Sequence, residues 1–150
     1  MSHPIVIQLT FPELWQGAQA GCYRRLTGIK CNMNKNKHAS KSDWATDIDG
    51  AIAEIAFAKH MGFYWDASNC SFKQPDVGLW QVRSTRHSDG CLIIRPNDKN
   101  EEERFVLAIS DETSVALIGW IQVKDAKKEI FWNADGWWVP QSILTPFFMF

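Results

Sequence analysis

The stretch from residue 42 to residue 62 limits what this chain can fold into more than any other part of it. Apolar residues recur there at the three- and four-residue steps of an α-helix: Trp44, Ile48, Ala51, Ile52, Ile55 and Ala58. Ser42 or Asp43 can cap the amino end, and Gly62 is the residue type most common just past a helix end. The stretch therefore predicts a helix with one apolar stripe.

Glu54 occupies a special position on this predicted helix. At about 100° per residue it falls at the flank of the apolar stripe, on the side of Asp47 and Ala51. We expect its carboxylate to lie between core and solvent, along the surface of a packed sheet. The alternative is an ordinary solvated acid on the helix flank.

The segments before and after this helix predict one earlier helix and several strands. The earlier helix begins at Pro12 and Glu13 and ends near Gly28, with Leu14, Trp15, Ala18, Cys22 and Leu26 at helical spacing. Residues 80–85 alternate as a strand does, residues 88–90 predict a hairpin turn, and residues 91–95 predict its return strand. Residues 105–109, 115–121 and 136–139 suit further strands, whereas the polar, basic stretch 32–42 predicts an exposed loop that either faces phosphate or is a solvated connection. The order of helix, helix and then sheet predicts an α+β or mixed α/β domain.

Composition limits the classes of protein to consider. The 150 residues suit a single domain over 1–150, and a net charge of -1 provides no general basic field for nucleic acid. Any DNA binding must then depend on a local patch or a metal site. The four cysteines are irregularly spaced without a C-x-x-C pair, which favours reduced thiols. The chain shows neither a secretory signal pattern nor an apolar run of the length a membrane span needs, which predicts a cytosolic protein.

A group of polar residues could converge near the strand at 80–85. Asp76 lies in the turn-like Pro75-Asp76-Val77-Gly78, and Gln81 and Arg83, two residues apart on a strand, share one face. Carboxylates that hold Mg²⁺ and a nearby cation are what phosphodiester hydrolysis needs, because the ion activates water and the cation stabilises the transition state. The ordinary alternatives are a turn acid at Asp76 and a polar strand face at Gln81 and Arg83, with Arg83 paired to Asp76.

The segment Pro75-Asp76-Val77-Gly78-Leu79-Trp80-Gln81-Val82-Arg83-Ser84-Thr85 resembles the motif of the PD-(D/E)xK nuclease superfamily, particularly its small phage-encoded members. The segment from Asp49 to Ala58 resembles the first helix of that superfamily, whose glutamate joins the metal site. The resemblance covers residues 44–86 and implies a restriction-endonuclease-like fold, a central mixed sheet flanked by helices.

By that resemblance Glu54, Asp76 and the backbone carbonyl of Val82 would be ligands of Mg²⁺ or Mn²⁺. Gln81 would fill the second acidic position, and Arg83 would stand in place of the catalytic lysine. Both positions depart from the motif. Gln81 brings no negative charge, although active members with glutamine there exist, and Arg83 stabilises charge but does not readily act as a base.

The resemblance implies a phage or mobile-element nuclease acting on DNA, and it makes a homodimer plausible because many members cut duplexes as dimers. Arg86 and His87, at the predicted hairpin tip, would contact nucleic acid, unless they form a free surface tip. The two departures also favour a second hypothesis, a silent nuclease fold that binds DNA or a host protein, for example against a defence system. A structural or assembly protein is the third, suggested by the aromatic carboxyl-terminal residues.

Overall fold

The computed structural model describes residues 3–31, 43–67 and 75–148, so the predicted basic loop at 32–42 lies outside the described residues. The elements, in chain order, are β1 (Ile5–Gln8), α1 (Phe11–Lys30), α2 (Asp43–Met61), β2 (Trp80–Thr85), β3 (Leu92–Ile94), β4 (Arg104–Ser110), β5 (Ser114–Gln122), α3 (Val123–Ala126), β6 (Trp132–Asn133) and β7 (Gly136–Val139). Short 3₁₀ turns precede β6 and follow β7. The chain is a mixed α+β protein.

The larger of the two sheets has four strands in the order β1-β5-β4-β2. β2 pairs with β4 in parallel, from Trp80 opposite Arg104 to Thr85 opposite Ile109. The pairs β4–β5 and β1–β5 are antiparallel. Among the described strands β2 therefore lies at the edge, and one side of its backbone faces away from the sheet.

The predicted hairpin at residues 88–90 is wrong in its pairing. β3 does not return along β2 but pairs antiparallel with β7 in a second sheet of order β3-β7-β6, with Leu92 opposite Val139. The turn itself forms, since the Gly90 amide donates to the His87 carbonyl. The partner differs because Leu92 and Ile94 are fully buried in a separate core, which requires the chain to leave the first sheet.

α1 begins as its sequence predicts and ends slightly later. Thr10 and Glu13 form a capping box, and the helix continues to Lys30, past the predicted end at Gly28. Its core face is the predicted stripe only in part, since Leu14 packs against the core. Trp15 and Leu26 are exposed, whereas the side buried against α2 carries the glycines 17, 21 and 28 together with Arg25.

Two hydrophobic cores lie on opposite faces of the four-stranded sheet. On one face α2 covers β2, β4 and β5, with Phe57 and Ala53 packed on Val82 and Val106. On the other face the second sheet and α3 cover Phe105 and Leu107 of β4 with Leu92, Ile94, Val123 and Val139. Helices α1 and α2 thus cover one face only, and the second face is covered mainly by strands, where flanking helices were expected.

Among the described helices, none combines the length and the apolar character that crossing a membrane requires.

Candidate active site at a buried acid pair

Glu54 lies in the middle of α2 and is only 4 % exposed. Arg24 of α1 donates two hydrogen bonds to its carboxylate, from Nη1 to Oε1 at 2.7 Å and from Nη2 to Oε2 at 2.8 Å. The Trp65 indole donates a third, to Oε2 at 3.0 Å. The expectation of a half-exposed flank position is therefore wrong, because α1 covers this side of α2 and brings its own cation with it.

Asp76 lies in the predicted turn before β2. Gly78 adopts φ of +57°, a conformation that glycine tolerates best, and Val77 and Trp80 form a bridge across the turn. The Val82 amide, on the open side of this edge strand, donates to Asp76 Oδ2 at 2.8 Å. The carboxylate thus satisfies a donor that the sheet leaves unpaired. Oδ1 accepts no hydrogen bond from the described residues.

The two carboxylates are close enough to affect each other. Burial, and then the negative charge of Glu54, raise the pKa of Asp76 to about 6. The Val82 amide and the charges of Arg83 and Arg24 act in the opposite direction without cancelling the rise. A buried carboxyl beside a second carboxylate is a combination that clusters at functional sites.

Arg24 is the cation of this site. Burial disfavours its charge, but the hydrogen bonds and charge of Glu54, with contributions from Asp76 and Asp47, raise its pKa above the ordinary value. Its guanidinium thus binds Glu54 and is stabilised by the charge of Asp76. It stays charged at any pH at which the protein is folded.

The structure does not bring Gln81 and Arg83 to Glu54. Trp80 and Val82 face α2, so the alternation of the strand turns Gln81 and Arg83 to the opposite face of the sheet. Gln81 Nε2 donates to Glu103 Oε1 at 2.9 Å. Arg83 pairs with Asp98 at 3.1 Å, not with Asp76, and its guanidinium lies 4.9 Å from the centre of the Phe105 ring.

The backbone of Val82 is better placed for the role that the resemblance implies. The amide and the carbonyl of one strand residue point to the same side. Since the Val82 amide reaches Asp76 at the open edge, its carbonyl oxygen faces that edge too. It is therefore the part of the Gln81-Val82-Arg83 segment that lies on the same edge as Asp76.

Arg86 and His87 lie at the end of β2, as expected. Arg86 forms two hydrogen bonds with the buried Asp49 of α2, at 2.8 and 3.0 Å, and Asp49 raises its pKa. His87 is exposed, and its amide donates to Thr85 Oγ1 at 3.2 Å. Arg86 thus ties α2 to the end of β2 and is half exposed beyond it.

A magnesium ion completed by substrate is the cation that the oxygen donors at the acid pair could hold. Mg²⁺ commonly takes one or two carboxylates, several waters and substrate phosphates. Within the described ranges no group of three or more His, Cys, Asp or Glu side chains is arranged to hold a metal ion. Glu54, Asp76 and the Val82 carbonyl supply hard oxygen ligands, and the raised pKa of Asp76 is what a divalent cation would reverse. Arg24 would then share Glu54 with the ion.

Arg24 and Trp65 are the site residues that the sequence did not reveal. One signal existed for Arg24: Gly17 and Gly21, four residues apart, indicate a helix face that approaches another helix closely. A Cβ at Gly21 would clash with the Cα atom of Ile48. Arg24 stands one turn further along the same region of α1. No local pattern singles out Trp65.

The fold and the site define a mixed α+β protein with a buried acid–arginine cluster beside an open sheet edge. Comparison with known proteins adds no relative: no family model, no curated protein and no solved structure matches the chain.

Proposed function

We propose that this chain is a metal-dependent nuclease of the PD-(D/E)xK kind that hydrolyses phosphodiester bonds in DNA. The observation that carries the proposal is the close pair of the buried Glu54 and the partly buried Asp76, in which the pKa of Asp76 is raised to about 6. Arg24 already neutralises Glu54, but burial and the charge of Glu54 still disfavour the ionised form of Asp76, and a divalent cation bound there would remove that penalty. The order of the chain, with a glutamate helix before the motif-bearing strand, agrees with the resemblance.

In this proposal Glu54, Asp76 and the Val82 carbonyl hold Mg²⁺ or Mn²⁺. The bound ion supplies an activated water and neutralises charge on the phosphate. Trp65 keeps Glu54 oriented through its indole hydrogen bond, and the Val82 amide fixes one oxygen of Asp76.

Arg24 takes the cationic role that the resemblance assigns to Arg83. Arg83 lies on the other face of the sheet and pairs with Asp98, whereas Arg24 already contacts Glu54 with both terminal nitrogens. A guanidinium presents paired N–H donors that match phosphate oxygens as well as carboxylates. Arg24 can therefore stabilise the charge that develops on the phosphate, and Arg83 contributes to the site only through its field on Asp76.

The test is cleavage of plasmid, linear, single-stranded and branched DNA with Mg²⁺ or Mn²⁺, by the wild type and by Asp76→Asn. Asparagine keeps an oxygen for the Val82 amide but removes the charge. We expect metal-dependent cutting whose rate falls roughly 100-fold or more in Asp76→Asn. Mutation of a residue that only hydrogen-bonds to a metal ligand already lowers metal affinity or activity roughly 10- to 100-fold. Asp89→Asn, at an exposed turn acid, is the matched control and should cut like the wild type.

A second candidate function, a silent nuclease fold that binds DNA or a host protein, is favoured by one observation. Both oxygens of Glu54 are already occupied by Arg24, and neither Gln81 nor Arg83 contacts the acid pair. Under this alternative, millimolar Mg²⁺ or Mn²⁺ leaves the melting temperature unchanged and the wild type cuts none of the four substrates. Cutting that depends on Asp76 excludes it.

A further inference from the structure

A cleft of ≈ 620 Å³ opens beside the acid pair, between α1 and the segment that follows α2. The described residues that line it are Gln16, Gln19, Ala20, Tyr23, Tyr64, Trp65, Asp66 and Ala67. The α1 residues stand at positions i, i+3, i+4 and i+7, so they form one continuous face of that helix. The other wall comes from residues 64–67. The volume lies in the range of small-molecule and nucleotide pockets.

The cleft borders the candidate active site at Trp65. Trp65 lines the cleft, and its indole nitrogen donates to Glu54 Oε2 at 3.0 Å. Tyr23, on the opposite wall, directly precedes Arg24, which holds the same carboxylate. A group bound between these walls would therefore contact the same indole that binds Glu54.

The chemistry of the lining suits a base better than a phosphate. Tyr64 is 90 % exposed and Tyr23 58 % exposed, so both present aromatic surface to solvent at the rim. Gln16 and Gln19 add amide donors and acceptors, while no lysine, arginine or histidine is among the described residues that line the cleft. Nucleic-acid phosphates need such cations, whereas bases stack on aromatic rings without them.

We propose that this cleft takes an unpaired base of a nucleic-acid strand whose adjoining phosphate lies at the Glu54–Asp76 pair. The inference rests on the proposed nuclease function and names its substrate class: single-stranded or branched DNA with unstacked bases. Intact duplex is disfavoured, because its bases are stacked and paired, and extracting one requires unstacking energy.

The experiment measures binding, not cutting. Fluorescence anisotropy follows a labelled 12-nucleotide oligothymidylate and a labelled 12-base-pair duplex in EDTA at one fixed salt concentration, because affinity depends steeply on salt. The proteins are the wild type, Tyr64→Ala, Tyr64→Phe and Phe11→Ala. Phe11 is an exposed aromatic residue of α1 that does not line the cleft, so it controls for general loss of aromatic surface.

We expect the wild type to bind the single strand more tightly than the duplex. Tyr64→Ala should weaken single-strand binding by about 5- to 100-fold, as the loss of one base-stacking contact does, while Tyr64→Phe and Phe11→Ala stay close to the wild type. Equal binding by Tyr64→Ala and the wild type, or tighter wild-type binding to duplex, would overturn the inference.

The outcome is separable from that of the proposed function. If cutting depends on Asp76 but single-strand binding does not depend on Tyr64, the cleft proposal is wrong and the nuclease proposal stands. If binding depends on Tyr64 but no substrate is cut, the nuclease proposal is wrong and the cleft is a single-strand binding site.

Discussion

Asp76 has surroundings that oppose its ordinary chemistry. Burial and the charge of Glu54 favour the neutral carboxyl, whereas the Val82 amide and the two arginines favour the anion. Burial and the charge of Glu54 have the larger effect, and the pKa of Asp76 rises to about 6. The ionised form therefore destabilises the fold near neutral pH, and a cation bound at this position would offset that cost.

The pH dependence of stability follows from this shift. Because the folded pKa of Asp76, about 6, lies above its unfolded value of 3.8, the fold holds the proton more tightly than the unfolded chain does. The resulting stability is fully present below about pH 4 and is lost as pH rises through about 6, by at most about 3 kcal/mol. The asparagine of Asp76→Asn does not titrate. The free energy of unfolding of this variant should therefore rise relative to that of the wild type between pH 4 and pH 7. Urea unfolding at several pH values measures this difference. A difference that stays constant with pH would contradict it, and 5 mM Mg²⁺ should reduce it.

At the scale of elements, the contact between α1 and α2 decides where Arg24 stands. Gly17 and Gly21 let the two helices approach so closely that a Cβ at Gly17 would lie 2.7 Å from the Ile52 side chain. At Gly21 the nearest atoms belong to the backbone of Ile48, which cannot move aside as a flexible side chain could. The cation reaches Glu54 only because the helices are this close.

Alanine at Gly21 should therefore force the helices apart. Alanine favours a helix over glycine, but overpacking typically costs about 1–3 kcal/mol, and here the clash with the Ile48 backbone prevails. Gly50→Ala in α2 is the matched control: a Cβ there meets nothing within 4 Å, so the change should stabilise by up to about 1 kcal/mol. Chemical denaturation measures whether each substitution lowers or raises the free energy of unfolding. If Gly21→Ala were as stable as Gly50→Ala, the close helix contact would be wrong.

At the scale of the whole molecule, the four-stranded sheet joins two cores. β4 contributes Val106 to the core under α2 and Phe105 and Leu107 to the core under the second sheet. Loss of either core exposes the same strand. The two layers should therefore unfold together and not as separate units.

A cavity in the second core tests this coupling. Leu92→Ala, at a fully buried position, should lower the free energy of unfolding by about 2–5 kcal/mol and leave a single transition. Ile130→Ala, at a highly exposed residue of the 3₁₀ turn before β6, should change it by less than about 0.5 kcal/mol. Far-ultraviolet circular dichroism and tryptophan fluorescence should give coincident denaturation curves for Leu92→Ala. Two separated transitions would show that the cores are independent.

Several elements could be predicted from the sequence because their signals are local. The helix from Asp43 to Met61, the strand from Trp80 to Thr85 and the turn at Asp76 follow from periodicity, capping residues and turn residues a few positions apart. β4, β5 and β7 were found in the same way. The choice of Asp76 and Glu54 as candidate site residues needed no more than this, together with the resemblance.

The partners of these elements were decided only by the tertiary structure. The Arg24–Glu54 pair joins residues 30 positions apart, and β3 pairs with β7 and not with its neighbour in sequence. Local patterns do not encode such choices, because they depend on which faces can be buried together: glycines bring α1 onto α2, and the apolar residues of β3 need a second core. For the same reason strand alternation placed Gln81 and Arg83 on one face, but only packing against α2 determined that this face points away from Glu54.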